Sequence, residues 1–493
     1  MKIILIFLLL IFSLISRGQS NWNDSSFVHR DGKQIVNGQG DPIVLEGVNL
    51  GGWLLWEGWI WGGGLSQEKT IYNKIQSRLD TTQAQNFRDS VYRNFITRAD
   101  LEKVAKQCFN AVRVPFNHIL LEDDSNPYVY KPAGWVILDS LLAWCEDYNV
   151  YAILDLHAAP GGQSEMFDAD PDSVNLWESP TDQKRTVLLW KAIAERYKNR
   201  GIVAGYDLLN EPIPPSDSAL LNIYNEIIDS IRAVDTHHML FIEGTEYASD
   251  FSLFSLLPDP DMAFEFHFYT WLINNIPAAL EGATLLSEAM NVPVWCGEWG
   301  ENTYTQLDST MLVLRNQAYG ISGNAFWTWK KVPNSYPYLN GMSTSYDWEK
   351  SIIWIGDTTS SEPTVAEMQQ GIADFITNIK IRNCTLNDTL DSIVNFCYHP
   401  AIILSKNNES LRVTVFPNPN SGKFYMEISS GNPEKLKIKI TNLPGISVYE
   451  ADNVIINQKC RKTIDLTTLK NGVYFISIES EKEIVIKKIL IEK

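Results

Sequence analysis

Between residues 44 and 380, apolar strand-like runs alternate with stretches of helical periodicity, and this repeat narrows the possible folds more than any other feature of the chain. The strand candidates are 44–49, 111–115, 151–157, 203–210, 239–243, 263–269, 292–298 and 323–329. Helical periodicity separates many of them, at 98–107, 136–148, 181–197, 216–234, 280–290 and 308–318, and a last helix covers 364–378. Repeated strand–helix units imply a parallel sheet in an α/β protein. Eight of them over this length predict a closed (β/α)8 TIM barrel. An open, doubly wound sheet is the runner-up, but no Gly-rich phosphate loop follows the first strand.

The barrel expectation carries its own check, because chemistry in such folds sits where strands end and loops begin. Polar residues collect there. Asn49 ends the first strand and Arg113 lies in the second. Asp155 and His157 end the third, Asn210 and Glu211 the fourth, and Glu243 the fifth. His267 and Tyr269 end the sixth, Glu298 ends the seventh, and Trp327 lies in the eighth.

Two of these residues carry the strongest chemical signal. Glu211 stands in Tyr206-Asp207-Leu208-Leu209-Asn210-Glu211-Pro212, and Glu298 in Val294-Trp295-Cys296-Gly297-Glu298-Trp299-Gly300. Each closes an apolar run with a turn. Two carboxylates on rigid supports, facing across a cleft, are the minimum equipment for cleaving a glycosidic bond. A lone Glu beside Pro or Gly more often only caps a turn; here two recur inside one longer pattern.

Bulk properties agree with a neutral polymer as substrate. The formal charge is −18, which argues against nucleic acid and anionic membrane surfaces as partners. The chain has 16 Trp, and tryptophan offers flat apolar platforms for sugar rings, although most of them are expected in the core or at its rim. Six Cys in 493 residues do not make a disulfide scaffold. Cys108, Cys145 and Cys296 lie in apolar segments and are expected as buried small hydrophobes, and Cys384–Cys397 is the expected bridge. With no CxxC and no His cluster of ligand spacing, no metal and no cofactor is expected.

The ends differ from the middle. Met1-Lys2, the apolar run 3–15 and Ser16-Arg17-Gly18-Gln19 describe a secretory signal peptide over 1–18. Thirteen residues are short for a membrane span, so no transmembrane segment is expected once the signal is removed. Residues 405–493 hold 14 Lys+Arg against 10 Asp+Glu, a reversal of the chain's acidic balance that marks a module boundary. The expected organisation is a catalytic domain over 19–400, a linker over 401–412 and a small all-β sandwich-like module over 413–493, acting as a monomer.

With these motifs in view, residues from about 35 to 380 resemble glycoside hydrolase family 5. Asn210-Glu211-Pro212 matches that family's acid/base motif, and Glu298 in Gly297-Glu298-Trp299-Gly300 matches its nucleophile. Arg113, His157 and the His267-Phe268-Tyr269 element match further active-site positions, and Trp327 matches the strand-eight tryptophan. Gly47 to Glu57 and Asp155 to Gln163 look most like the exo-β-1,3-glucanases, in which the residue matching Glu57 contacts the terminal glucose. The stretch Gly58 to Gly64 departs from that pattern and predicts an open, endo-acting cleft. The final segment resembles the C-terminal sorting domain of type IX secretion in Bacteroidetes, through Phe416-Pro417-Asn418-Pro419, 469–475 and 487–491. It implies a secretion-machinery partner and a secreted or cell-surface location.

The resemblance implies a retaining hydrolase of a β-linked polysaccharide or oligosaccharide, with Glu298 as nucleophile and Glu211 as acid/base. Arg113 and Tyr269 would hold Glu298 anionic. Asn210 would bind the sugar 2-hydroxyl, His157 and His267 would orient hydroxyls or carboxylates, and Trp327 would floor the site. Trp53, Trp56, Trp59 and Trp61 either line outer subsites or form a packed plug at the barrel rim. The alternatives are an exo-β-1,3-glucanase, a β-mannanase or glycosylceramide-cleaving relative, and a carbohydrate-binding protein on an inactive barrel.

Overall fold

The structure is a computed structural model. It describes residues 27–395 and 412–491, except 271–275, 317–318, 358, 418–419, 431–433, 443–446, 457–458, 471 and 481–483. The expected signal peptide and nearly all of the expected linker therefore lie outside the described residues.

Eight parallel strands close into a barrel. They are β1 (Leu45–Asn49), β2 (Ala111–Asn117), β3 (Tyr151–Ala158) and β4 (Val203–Asp207), then β5 (Met239–Glu243), β6 (Met262–Phe268), β7 (Val294–Gly300) and β8 (Ile321–Trp327). Closure is made by β8 pairing with β1, with Gly323 opposite Leu45 and Phe326 opposite Val48. All eight strands are buried on both faces apart from the first residue of β3, which is why they read as continuous apolar runs.

The helices outside the barrel start and stop where local chemistry dictates. Ser216 caps Asp217–Arg232 by accepting from the Ala219 amide. Thr364 and Glu367 form a reciprocal capping box at the start of Val365–Asn378. Asn149, in the left-handed conformation, ends Pro132–Tyr148. Helices that were not expected include Glu68–Arg78, Thr81–Asn94, Tyr346–Gly356 and the short Asp388–Val394. They sit inside the long β1–β2 connection and after β8.

The barrel interior is layered. At its N-terminal end Leu45, Ala111, Ile153, Ala204, Met239, Phe241, Ala263, Trp295 and Ala325 form one apolar cluster. Val28 and Ile35, from a short hairpin of His29–Asp31 and Gln34–Val36, join it and close that end. Two residues further along the strands the same inward parity delivers polar side chains: Arg113 after Ala111, Asp155 after Ile153, Glu243 after Phe241 and Glu265 after Ala263.

The C-terminal segment is all β. One antiparallel sheet holds Arg412–Phe416, Lys423–Ser429 and Lys459–Asp465; the other holds Ser447–Ile456, Glu434–Asn442, Gly472–Glu479 and Ile484–Ile491. Both contribute to one core in which Phe424, Met426, Ile438, Ile440, Ile476, Ile478 and Ile489 are buried.

The cysteine expectations need correction. Cys108 is exposed, follows the helix Arg98–Lys106 in a left-handed turn, and is disulfide-bonded. Cys384 is a free thiol, directed at the carbonyls of Asn378 and Lys380, so the Cys384–Cys397 bridge does not form. Cys397 lies outside the described residues. Cys145 and Cys296 are buried free thiols.

Candidate active site

Arg113 is fully buried at the centre of the polar layer and is the fixed charge around which that layer is built. Its Nη1 lies 2.6 Å from Glu298 Oε1 and 3.1 Å from Asp155 Oδ2. Nη2 lies 2.7 Å from Asp207 Oδ2, 2.8 Å from Asn210 Oδ1 and 3.3 Å from Glu243 Oε1. Nε lies 2.9 Å from Glu265 Oε1. Nη1 also donates to Asn49 Oδ1 at 3.2 Å, and Asn49 Nδ2 donates to the carbonyls of Gly297 and Ala325. One guanidinium thus faces five carboxylates.

Glu298 reaches this layer through an irregularity in β7. Phe266 pairs with Cys296, but the next residue, His267, pairs with Glu298, so Gly297 is the extra residue of a bulge. The bulge shifts the parity of β7 and turns Glu298 inward. Gly297 itself must lack a side chain, because a Cβ there would stand 1.6 Å from Glu265 Oε1. Glu298 is then held from two sides, with Arg113 on Oε1 and the Tyr269 hydroxyl donating to Oε2 at 2.8 Å.

Glu211 lies beyond the end of β4. That strand stops at Asp207, earlier than the expected residue 210, and 208–210 leave the ladder. Glu211 has φ +44°, a left-handed conformation rare for a residue with a side chain. Its amide donates to Glu243 Oε2 at 2.6 Å, and its Oε1 lies 2.7 Å from His267 Nδ1. The buried Gln163 side chain ties the neighbouring loops, donating to the carbonyls of His157 and Asn210. Single carboxylate oxygens of Glu211 and Glu298 approach within 4.8 Å of each other.

Burial sets the charge states of the pair, in unequal surroundings. It raises Glu211 to about 7, Arg113 pulling against it and Asp155 adding to it. It raises Glu298 as well, but there His267, Arg113 and His157 all oppose it. Burial lowers His267 to about 3 and His157 to about 4, so both imidazoles are neutral near pH 7. Burial, then the charge of Glu298, pushes the Tyr269 hydroxyl up and keeps it a donor. Asp155 and Asp207 rise to about 7, again by burial, with Arg113 opposing.

The structure therefore gathers Arg113, Asn210, Glu211, His267, Tyr269 and Glu298 into one contact network. His157 joins it through Asp155 at 2.7 Å and stands 4.0 Å from Glu298. Trp327 stacks on His157, ring centres 5.5 Å apart, and is almost fully covered. Glu57 is buried beside the site, accepts from Trp59 Nε1 at 2.7 Å, and has an unpartnered Oε1. Burial and then the charge of Asp168 raise Glu57 well above the usual carboxylate range. Trp53, Trp56 and Trp61 are fully buried, which settles them as a rim plug; Trp59 is half-buried.

Three acidic neighbours escaped the sequence reading as site groups, Asp168, Asp207 and Glu265, and Glu243 was seen only as a polar strand end. Asp168 follows the loop after Gln163, has an unpartnered Oδ1, and is raised to about 6 by burial and then by Glu211. The other three lie on inward-facing strand positions. Two triads have atoms close enough to ligate one ion, Glu211–His267–Glu298 and Glu243–Glu265–His267. The guanidinium of Arg113 is in contact with three of their four carboxylates, Glu243, Glu265 and Glu298.

Fold and site together define the class, a (β/α)8 barrel of glycoside hydrolase type with paired carboxylates after its fourth and in its seventh strand. The cellulase model, glycosyl hydrolase family 5, matches residues 73–332, more than half of the chain, and the chain belongs to that family. A model of the secretion system C-terminal sorting domain matches residues 414–492. Among relatives, the chain is 35% identical over 231 residues to a beta-xylosidase of Phanerodontia chrysosporium, covering 46% of this chain and 48% of the relative. It is 32% identical over 225 residues to endoglucanase C of Acetivibrio thermocellus, covering 45% and 57%. It is 27% identical over 277 residues to a probable glucan 1,3-beta-glucosidase A of Aspergillus fumigatus, covering 52% and 65%. The chain thus spans about half to two thirds of the length of these relatives.

Proposed function

We propose that this chain is a secreted retaining β-glycosidase that hydrolyses a β-glucan by double displacement. The approach of Glu211 and Glu298 within 4.8 Å carries the reading. Retaining enzymes hold their carboxyl groups about 5–5.5 Å apart, with no room for an intervening water. In the first step a Glu298 oxygen bonds to the anomeric carbon, the glycosidic C–O bond breaks, and Glu211 gives its proton to the departing oxygen. In the second, Glu211 takes a proton from water, the water oxygen bonds to the anomeric carbon, and Glu298 is released.

The surroundings suit those roles. Glu298 receives two donors, which favours the ionised nucleophile. Glu211 has no cation at hydrogen-bond distance and is raised to about 7, so it can start protonated. Asn210 spends its amide oxygen on Arg113, leaving its N–H groups for a substrate hydroxyl. The test is the anomeric configuration of the first-formed product, followed by NMR on laminarin, cellulose oligomers, lichenan, mannan and a glycosylceramide. Retention on a β-glucan is expected; inversion would exclude double displacement.

On the mode of attack we keep the endo reading, in which oligosaccharides appear before glucose. One observation favours a second reading, release of single glucose units: Glu57 Oε1 is buried and without a partner beside the catalytic pair. The same digest decides between them. The sorting domain indicates secretion, and we propose that the 1–18 signal and the 413–493 module deliver the 19–400 catalytic domain to the cell surface. No described helix is long and apolar enough to cross a membrane.

A further inference from the structure

The acid/base proposed above is gripped by a second glutamate. Glu243, at the end of β5, is fully buried, and both its oxygens are engaged. Oε2 accepts the Glu211 amide at 2.6 Å, and Oε1 lies 3.3 Å from Arg113 Nη2 and 3.4 Å from His267 Nε2. The opposite nitrogen of that imidazole, Nδ1, is 2.7 Å from Glu211 Oε1. Glu243 therefore meets Glu211 twice, directly at its backbone and through the histidine at its carboxyl group.

Each contact has a consequence. The amide contact offsets the strain of the left-handed backbone at φ +44° and so fixes where the carboxyl group points. The histidine contact selects a tautomer. Nε2 makes no hydrogen bond but faces oxygens of Glu243 at 3.4 Å and Glu265 at 3.7 Å, so a lone pair there would meet the lone pairs of both, whereas Nδ1 has Glu211 at 2.7 Å and, further off, Glu298 at 3.9 Å. A proton on Nε2 is favoured instead. Since the ring is neutral, Nδ1 must then be the acceptor, and the proton between Nδ1 and Glu211 belongs to the carboxyl group. Glu265 Oε2 has no partner, whereas both oxygens of Glu243 receive donors, so any proton retained by this crowded pair sits on Glu265.

We infer that Glu243 is a positioning residue that keeps Glu211 aimed and protonated, by anchoring its backbone and by holding His267 as the Nε2–H tautomer. The inference rests on the reading of Glu211 as the acid. It concerns a side chain that touches neither substrate nor the reacting atoms, so its signature is a shift in proton chemistry rather than a lost contact with sugar.

Glu243→Gln in the full chain tests it. The carboxamide oxygen is favoured in the 2.6 Å place opposite the Glu211 amide, the nearer of the two donors, which leaves the NH2 on the side of Arg113 Nη2 at 3.3 Å. The NH2 then faces His267 Nε2 and donates to it. The ring changes tautomer, Nδ1–H donates to Glu211, and the carboxylate form is stabilised. The basic limb of the kcat/KM profile should move to lower pH, by on the order of one unit. Glu243→Ala, which also frees the backbone, should lower kcat about 100-fold on a β-glucan oligosaccharide and about tenfold or less on a 2,4-dinitrophenyl glycoside, with KM little changed. A Glu243→Gln basic limb that superimposes on wild type overturns the inference, and so does a folded Glu243→Ala that loses equally on both substrates. Should Glu243→Ala not fold, the glutamine profile decides alone. Glu211→Ala run in parallel separates the two levels. If that variant keeps the wild-type limb and leaving-group pattern, the acid assignment itself fails; if it loses both while Glu243→Gln shifts nothing, only the role of Glu243 falls.

Discussion

The two ends of the barrel interior are made from the same strands and the same inward parity, yet they differ in kind. The N-terminal end is a dry packing of Leu45, Ile153, Met239, Phe241 and Trp295. Two residues further on, Arg113 faces five buried carboxylates, an arrangement that desolvation makes costly. The comparison teaches a division of labour. The apolar layer holds the barrel together; the charged layer is carried at some expense in stability because it sets protonation states at the cleft. Removing a group from each should therefore give opposite patterns.

The largest effect is expected in the charged layer, on activity. Glu298→Ala should lower kcat at least about 10⁴-fold while leaving the melting temperature within a few degrees, and azide should partly restore turnover with an inverted glycosyl azide product. Wild-type turnover in the variant would break the comparison at its functional end. Next comes Phe241→Ala in the apolar layer. It should cost about 3–5 kcal/mol of stability, read from denaturant midpoints, with kcat per folded molecule little changed. Glu265→Gln is its counterpart. It puts a permanently neutral group where burial already favours a protonated carboxyl, and should leave the denaturant midpoint unchanged or higher; a large destabilisation would refute the division.

The pH dependence sharpens the same contrast. Glu211, Asp155 and Asp207 have folded values raised to about 7, above their unfolded ones. For an acid shifted upward, the folded state binds more protons than the unfolded chain. The stability this adds is present below the unfolded values, near pH 4, and is lost as pH rises through 7. Melting temperatures should fall across that window in wild type, and less steeply in Asp207→Asn. In activity, the basic limb of kcat/KM should lie near pH 7, belonging to the coupled site as a whole. The smallest effect is expected outside the barrel. Ending the chain at about residue 404 should leave specific activity unchanged while abolishing surface delivery in the native host; a folded but inactive fragment would refute it.

The apolar layer was almost fully legible from sequence, and the charged layer in part: Arg113 at its centre was named, but not all of the carboxylates around it. The expected strand 239–243 agrees with β5 at both ends, and the other seven overlap their observed counterparts, because β-branched and aromatic residues fill both faces of these strands. Glu211 and Glu298 stood out because Pro and Gly punctuate their turns. Glu243 was visible as a strand end, but its hold on the Glu211 amide was not. Glu265 and Asp207 were missed because a polar residue inside an apolar run looks the same whether it points to solvent or to a buried guanidinium. The signal was available in the spacing Phe241–Glu243 and Ala263–Glu265–His267, which keeps one inward face throughout. The helices Glu68–Arg78 and Thr81–Asn94 were hidden because they are mostly polar and lie inside a long connection. Asp168 was hidden in a loop, where side-chain direction follows no period.

Closure of the barrel by β8 against β1 also fixes when the site can first exist. Leu45 finds its partner Gly323 only after the six intervening strands have been laid down. Asn49, near the start of the chain, bonds to Gly297 and Ala325 across the same seam and steadies Arg113 from there. Contacts so distant in sequence form late, since the whole loop between them must be ordered first. A chain emerging from its amino end therefore carries most of the candidate site's side chains long before that site is assembled. In refolding, turnover should appear together with the last seam rather than rise strand by strand, so that unfinished molecules are silent.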